Sequence, residues 1–226
     1  MVNNVKRALV IGSNGTLGSA LTKRLKDDFY VHCINRNNTD YSEASLTGLA
    51  NELKAKGRFD RIICCIGVLH NDSLSPEKSL KQLNEKALSE YFYVNTILPA
   101  LCIKAFTPLL CKDVDTQFAV LSAMVGSIED NKLGGWYGYR SSKAALNMLV
   151  KTASIEFTRT NKKCSIAAIH PGTTQGNLSR PFSAKIDPKN YYTPEQSAMR
   201  ILRVIDNLTL KTSGSFLNWD GTELPW

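Results

Sequence analysis

Tyr139 and Lys143 stand four residues apart in the segment Tyr137-Gly138-Tyr139-Arg140-Ser141-Ser142-Lys143-Ala144. On an α-helix, positions i and i+4 share a face, so this spacing sets an ammonium beside a phenol. A neighbouring cation favours the phenolate and draws a tyrosine down from its ordinary pKa of about 10. A tyrosine tuned in this way can pass a proton near neutral pH, which is the work of a general acid. Tyr137 competes for the role, but its i+4 residue is Ser141, which carries no charge. It is read, with Trp136, as part of the wall of a substrate cleft. The spacing alone also arises by chance. It gains meaning only if the same fold brings a cofactor to it.

Far upstream, the apolar run Ala8-Leu9-Val10-Ile11 meets Gly12-Ser13-Asn14-Gly15-Thr16-Leu17-Gly18, after which Leu17, Ala20, Leu21 and Leu25 repeat at helical spacing. A strand, a glycine turn and a helix in that order make a phosphate site. Glycine permits the tight turn and close approach of backbone amides to a pyrophosphate, and the helix start adds further amides and a favourable dipole. All seven residues from Gly12 to Gly18 are expected to bind the cofactor. The Walker lysine pattern is absent, which disfavours an ATPase. The second strand ends at Asn35-Arg36, where an NAD enzyme usually carries an acid for the ribose hydroxyls and an adjacent arginine accommodates a 2′-phosphate. The sequence therefore favours NADP, with NAD possible. Asp40 is a candidate acceptor for the adenine amino group.

The elements that must hold these residues are legible as an alternation. Strands are expected over Arg7–Ile11, Val31–Asn35, Arg61–Ile66, Gln117–Leu121, Ser165–His170 and Gly214–Leu217. Most are near-continuous apolar runs, as in strands buried on both faces of a parallel sheet. Helical periodicity begins at Leu17 and recurs over Leu88–Leu110 and Ser141–Phe157. The pattern predicts an α/β fold: a single-domain Rossmann-type doubly wound parallel sheet with helices on both faces, filling residues 1–226. The least regular segments are His70–Glu77, Glu129–Gly135 and Gly176–Pro194. Loops at the carboxyl ends of strands hold the ligand in such folds.

Composition narrows the class. Hydrophobic residues make up 43% and charged residues 21%, an ordinary globular balance. No apolar run approaches a membrane span of about 18 residues. The opening Met1-Val2-Asn3-Asn4-Val5-Lys6-Arg7 runs into the first strand without the layout of a signal peptide. Cys33, Cys64, Cys65, Cys102, Cys111 and Cys164 lie scattered in apolar segments without Cys-x-x-Cys spacing, so they read as reduced core residues of a cytoplasmic protein, with no metal site. The net charge of +8 is spread along the chain with no arginine-rich arm or aromatic array, which argues against nucleic acid as a partner.

Taken together, Gly12 to Gly18 followed far downstream by Tyr139 and Lys143 resembles the short-chain dehydrogenase/reductase family over nearly the whole chain. Cys64-Cys65-Ile66-Gly67 stands where that family has Asn-Asn-Ala-Gly, and Asn95 in Tyr93-Val94-Asn95-Thr96 matches its helical asparagine. His170-Pro171-Gly172-Thr173-Thr174 matches the Pro-Gly turn beside the nicotinamide. Gly126-Ser127-Ile128, Gly134-Gly135-Trp136-Tyr137 and the closing Gly214-Ser215-Phe216-Leu217-Asn218-Trp219-Asp220-Gly221 are similar to the C-factor-like branch.

The resemblance implies reversible hydride transfer between NADP(H) and a carbonyl or alcohol, such as an aldehyde, ketone or quinone. Tyr139 would act as proton donor, and Lys143 would tune it and hold the nicotinamide ribose. Asn95 would position a relay water. Gly67, Pro171, Gly172, Thr173 and Thr174 would line the cofactor. It also implies a homodimer or homotetramer through the helices bearing Asn95 and Tyr139. Leu98, Leu101, Leu146, Leu149 and Val150 suit that interface and suit packing on the sheet equally well.

Three departures stand out. Thr16 occupies the usual middle glycine of the phosphate loop. Gly176 stands where many members carry a threonine, so Thr173 or Thr174 is expected to take its contact with the nicotinamide amide. Ala123 stands where the family places its catalytic serine, leaving Ser122 as the first candidate to share the substrate oxygen and Ser127 as the next. A non-enzymatic NADP-binding sensor or signalling protein on the same fold is the alternative function.

Overall fold

The computed structural model describes residues 5–226. The sequence expectation for Met1–Asn4 lies outside the described residues. Six parallel strands form the central sheet: β1 (Arg7–Ile11), β2 (Tyr30–Ile34), β3 (Arg61–Cys64), β4 (Thr116–Leu121), β5 (Cys164–Ile169) and β8 (Phe216–Leu217), in the order β2-β1-β3-β4-β5-β8. A separate two-stranded sheet pairs β6 (Thr173–Thr174) with β7 (Tyr191–Tyr192). Six helices accompany them: α1 (Thr16–Leu25), α2 (Glu43–Ala55), α3 (Glu85–Phe92), α4 (Leu98–Phe106), α5 (Tyr137–Thr160) and α6 (Pro194–Asp206).

The apolar runs read from the sequence become strands because each is covered on both faces. Leu9 and Ile11 join Ile62, Phe118, Val120 and Ile166 on one face, beneath Leu46, Leu53, Phe106 and Leu146. Ala8 and Val10 join Ile63, Ala119 and Ala167 on the other, beneath Leu21, Leu25, Ile201 and Ile205. Each fully buried aliphatic side chain of this kind contributes about 1.5–3 kcal/mol relative to exposure. The order of winding reverses at β1, with β2 added on one side of it and β3 on the other. That switch point opens a crevice above the carboxyl ends of β1 and β3.

Helices α2 and α6, which sequence periodicity did not single out, complete the two layers. Both are set by their starts. Ser42 caps α2 by accepting from Ser45 N, and Thr193 with Gln196 closes a capping box ahead of Pro194. The segment read as irregular before Pro194 also contains β7.

The helical run Glu85–Leu109 is long and apolar enough, by length and composition, to cross a membrane. Its residues Cys102, Ile103 and Phe106 are buried against the sheet, which accounts for their apolarity within this fold.

Candidate active site

Tyr139 lies in the first turn of α5 and Lys143 in the second, both buried, at 6% and 3% exposure. The Lys143 Nζ donates to Leu121 O at 3.1 Å, so the ammonium is fixed at the carboxyl end of β4. Burial lowers Lys143 to about 8. Burial also pushes the Tyr139 phenol up rather than down. The sequence expectation of a phenol acidified by its lysine is therefore not met in the protein alone, where burial sets the direction of the shift.

Asn95 is fully buried on a π-turn (Tyr93–Ile97) between α3 and α4. Such one-turn bulges often mark functional sites. Its amide grips one residue from both sides: Val68 N donates to Oδ1 at 2.8 Å, and Nδ2 donates to Val68 O at 2.9 Å. The same Nδ2 donates to Ser142 Oγ at 3.1 Å, and Ser142 Oγ donates to Tyr139 O at 2.8 Å. Gly67 lies at the centre of this group. A Cβ added there would come within 3.3 Å of Lys143 Nζ and 3.4 Å of Asn95 Oδ1. The absence of a side chain at 67 lets the ammonium and the amide oxygen face one small space.

The start of α5 has no local side-chain cap, and Trp136 precedes it in the left-handed region with φ 52°. Glu77 caps it from a distance. Its buried carboxylate accepts from Gly138 N at 3.1 Å through Oε2, and its backbone oxygen accepts from Trp136 N at 2.5 Å. Tyr139 packs edge-on against Tyr91 and Trp136, with ring centroids 6.1 and 6.2 Å apart, and Trp136 meets Phe182 at 5.1 Å. Beyond Trp136 and Phe182 lies a cavity of about 760 Å³ that reaches His70, Glu77, Lys78 and Lys86.

Both candidate serines have hydrogen-bond partners within the protein. Ser122 Oγ donates to Asn147 Oδ1 at 2.6 Å, further along α5 than Lys143. Ser127 Oγ donates to Trp226 O at 3.2 Å and accepts from Asp130 N at 3.0 Å. Ala123 is the β4-end residue that packs in the Tyr139 cluster, together with Leu69, Leu74 and Tyr91. In this structure the Ser122 hydroxyl is engaged with Asn147, while position 123 offers the Tyr139 cluster only a methyl group.

The phosphate loop has the shape of a cradle that side chains would fill. Gly12 sits at φ +80°, and a Cβ there would press on Cys65. A Cβ at Gly18 would lie 2.2 Å from Gly12 O. Ser13 is buried, Asn14, Gly15 and Thr16 are exposed, Leu17 is half-buried, and Gly15 enters α1 with extended backbone. These residues fit a dinucleotide's diphosphate. Asn35 Nδ2 donates to Ser13 Oγ at 3.0 Å and links β2 to the loop, while Arg36 is exposed beside it. Asp40 accepts from Ser42 N at 2.8 Å, and hydrogen bonds from Ser45 and Ser42 hold it down at about 2.

At the other end of the crevice, Pro171 and Gly172 follow β5, with Gly172 at φ +74° facing Trp219. Thr174 Oγ1 donates to Ser197 Oγ at 2.8 Å, which leaves Thr173 as the threonine of the pair whose hydroxyl is not engaged with α6.

The model for short chain dehydrogenases matches residues 42–187. The chain belongs to the short chain dehydrogenase family. A dehydrogenase from Rhodococcus sp. (strain AD45), named for 1-hydroxy-2-glutathionyl-2-methyl-3-butene, is 33% identical over 96% of this chain and 98% of its own length. The C-signal protein of Myxococcus xanthus is 33% identical over 62% of this chain and 78% of its own, in keeping with the C-factor-like resemblance. Among solved structures, the NADPH-bound carbonyl reductase from chicken fatty liver superposes with a TM-score of 0.82 at 23% identity, covering 98% of this chain and 99% of its own. Carbonyl reductase Sniffer of Drosophila melanogaster gives 0.81 at 20% identity, covering 99% and 100%. These two share the fold with this short chain dehydrogenase.

Sequence reasoning did not find Glu77, Ser142 or Asn147. Ser142 lies between the two residues that opened the argument, and its place on the helix face toward Asn95 was available from helical geometry. Glu77 lies in an irregular loop, and nothing in its spacing marks it.

Among the described residues no cluster of His, Cys, Asp or Glu could hold a metal ion. The six cysteines are free thiols. Of the residues offered for a helix interface, Leu98, Leu146 and Val150 are buried in the core, Leu101 packs against it, and Leu149 is 37% exposed. The outward apolar residues on these helices are Tyr93, Ile97, Met148, Leu149 and Ile155.

Proposed function

We propose that this member of the oxidoreductase family is an NADP-dependent carbonyl reductase, acting reversibly on an aldehyde, ketone or quinone. The observation that carries the reading is the buried group of Tyr139, Lys143 and Asn95 around Gly67, opening toward the crevice at the sheet's switch point. The cofactor, when bound, supplies the hydride. Gly12 to Gly18 hold its diphosphate, Asn35 and Arg36 its adenosine end, Asp40 the adenine side, and Gly67, Pro171, Gly172, Thr173 and Thr174 its nicotinamide end. Structurally similar reductases and dehydrogenases with NADP or NADPH bound support the choice of cofactor, as does Arg36 at the end of β2.

Tyr139 donates its proton to the oxygen that becomes the alcohol. Lys143 holds the ribose and, with Asn95 across Gly67, returns the proton through a water. A phenol pushed up by burial is a poor base in the empty protein. The reading requires that the bound cofactor and carbonyl reset this balance, because ribose hydroxyls that accept hydrogen bonds from Lys143 favour its ammonium form. Trp136, Tyr137 and Phe182 form the substrate wall. The outward apolar residues of the α3–α4 run and α5 cover one another in a homodimer or homotetramer, and the free thiols suit the cytoplasm.

The test is direct. Tight NADPH binding is established first by fluorescence titration, and NADPH oxidation is then followed with aldehydes, ketones and quinones. Turnover that tracks one carbonyl class supports the reading. NADPH binding without turnover on any of them favours a non-enzymatic NADP sensor, a reading that draws support from Ala123 standing beside Tyr139 without a hydroxyl.

A further inference from the structure

Two of the family departures touch each other. Thr16 opens α1 in the phosphate loop, and Gly176 lies in the loop that follows β6. A Cβ built on Gly176 would fall 2.7 Å from Thr16 Oγ1, 2.9 Å from its Cγ2 and 3.1 Å from its Cβ. Every heavy atom of the Thr16 side chain beyond Cα thus stands in the place where a side chain at 176 would begin. Gly176 has no left-handed φ, so its backbone does not call for glycine. The space taken by Thr16 does. The family pattern described above, glycine in the phosphate loop and threonine at 176, is here reversed across one contact.

The neighbouring chain is held so that this contact persists. Asn177 O pairs with His70 Nε2 at 2.8 Å, and Gly176 O accepts from Ser179 N at 3.2 Å and Arg180 N at 3.0 Å. Loops after β1, β3 and β5 therefore meet at one point over the crevice, and Thr16 and Gly176 are where the first and last of them join.

We propose that Thr16 and Gly176 form a bridge between the phosphate loop and the substrate-side loop, closing the groove over the cofactor's diphosphate. The threonine supplied by the phosphate loop fills the place of a side chain that residue 176 lacks. This rests on the NADP reading. It goes beyond that reading by making cofactor grip depend on the substrate-side loop, with Thr16 as a positioning residue.

The experiment is a double-mutant cycle read by NADPH fluorescence titration and by thermal melting of the cofactor-free protein. Gly176→Thr forces two side chains into one space, and the NADPH Kd is expected to rise roughly tenfold. Thr16→Gly opens the groove and also weakens binding. The double variant, with the pair exchanged, is expected to bind within about threefold of wild type, and its melting temperature recovers with it. Should Gly176→Thr fail to fold, Gly176→Ala serves, since its Cβ alone meets Thr16. Single-variant losses that simply add in the double variant overturn the bridge, as does a Gly176→Thr protein that binds NADPH like wild type. Wild-type protein that binds neither NADPH nor NADH overturns the cofactor reading itself, a result separate from a failed cycle on a protein that binds.

Discussion

The two walls of the crevice are built differently. On the α5 side, Asn95, Ser142 and Lys143 are all at or below 3% exposure, and each is tied by hydrogen bonds to a neighbouring element. On the opposite side, the stretch from Gly176 to Asn190 folds through short-range turns, and Leu178 is 45% exposed. It is joined to the rest of the molecule by His70, by Thr16 and by the aromatic contact of Phe182 with Trp136. Under the proposed mechanism, the buried wall fixes the atoms that move a proton over short distances. The more loosely tied wall would be the side that admits the substrate. On that reading, chemistry and selectivity fall to parts that are held differently.

The sharpest way to break this comparison is Tyr139→Phe. Loss of the general acid is expected to reduce kcat by at least ~10²-fold with the NADPH Kd unchanged. Near-wild-type turnover would remove the buried wall from the chemistry. Ser122→Ala comes next. If Ser122 leaves Asn147 to bind the substrate oxygen, the loss approaches the ~10²-fold of a missing oxyanion donor. Unchanged kcat would leave Tyr139 as the side-chain donor there and confine Ser122 to its bond with Asn147.

A smaller effect separates burial from charge. Lys143 titrates at about 8 in the fold against an ordinary 10.5, so between these values the unfolded chain holds the extra proton. The contribution of Lys143 to the stability of the cofactor-free protein should therefore rise with pH across that window, having been held down at lower pH by a buried ammonium. Burial pushes the thiols of Cys65, Cys102 and Cys164 above their ordinary 9.0 and Tyr139 above its ordinary 10.0, and these groups bring an opposing fall, so the Lys143 share is read as a difference between two proteins. Between about 8 and 10, the urea midpoint of the wild type should gain on that of Lys143→Met as pH rises. The smallest change is expected from Phe182→Ala on the looser wall. KM for a bulky carbonyl should rise severalfold, while kcat stays near wild type because the proton path is untouched. A large fall in kcat would mean that the two walls are not separable.

The sequence disclosed those parts of this arrangement that local rules govern. Buried parallel strands are long apolar runs, and a glycine turn between strand and helix has few other uses, so β1 and the phosphate loop were legible. So was the placing of Tyr139 and Lys143 one turn apart on a single helix, which depends only on helical spacing. Two kinds of fact were not. One is the partner of a side chain at a strand end, such as Asn147 for Ser122 or the Tyr139 cluster for Ala123, which depends on where β4 stops. The other is any contact between distant loops, such as Glu77 with Gly138 or Thr16 with Gly176. Even the electrostatics of the opening pair turned on burial, a property of the whole fold.

The π-turn at Tyr93–Ile97 has a consequence for how this site can be inherited. An α-helix advances by 3.6 residues per turn, so one residue more or less rotates everything beyond it by about 100°. The wider turn takes up such a rotation in place, turning Asn95 inward while Tyr93 and Ile97 remain outward. Deleting one residue here would close the bulge into a regular helix, leaving α3 and α4 near their present faces but moving the amide of Asn95 off its place against Val68. The segment therefore tolerates changes of side chain far better than changes of length, and an insertion or deletion within it would be a more reliable sign of lost function than any single replacement at its surface.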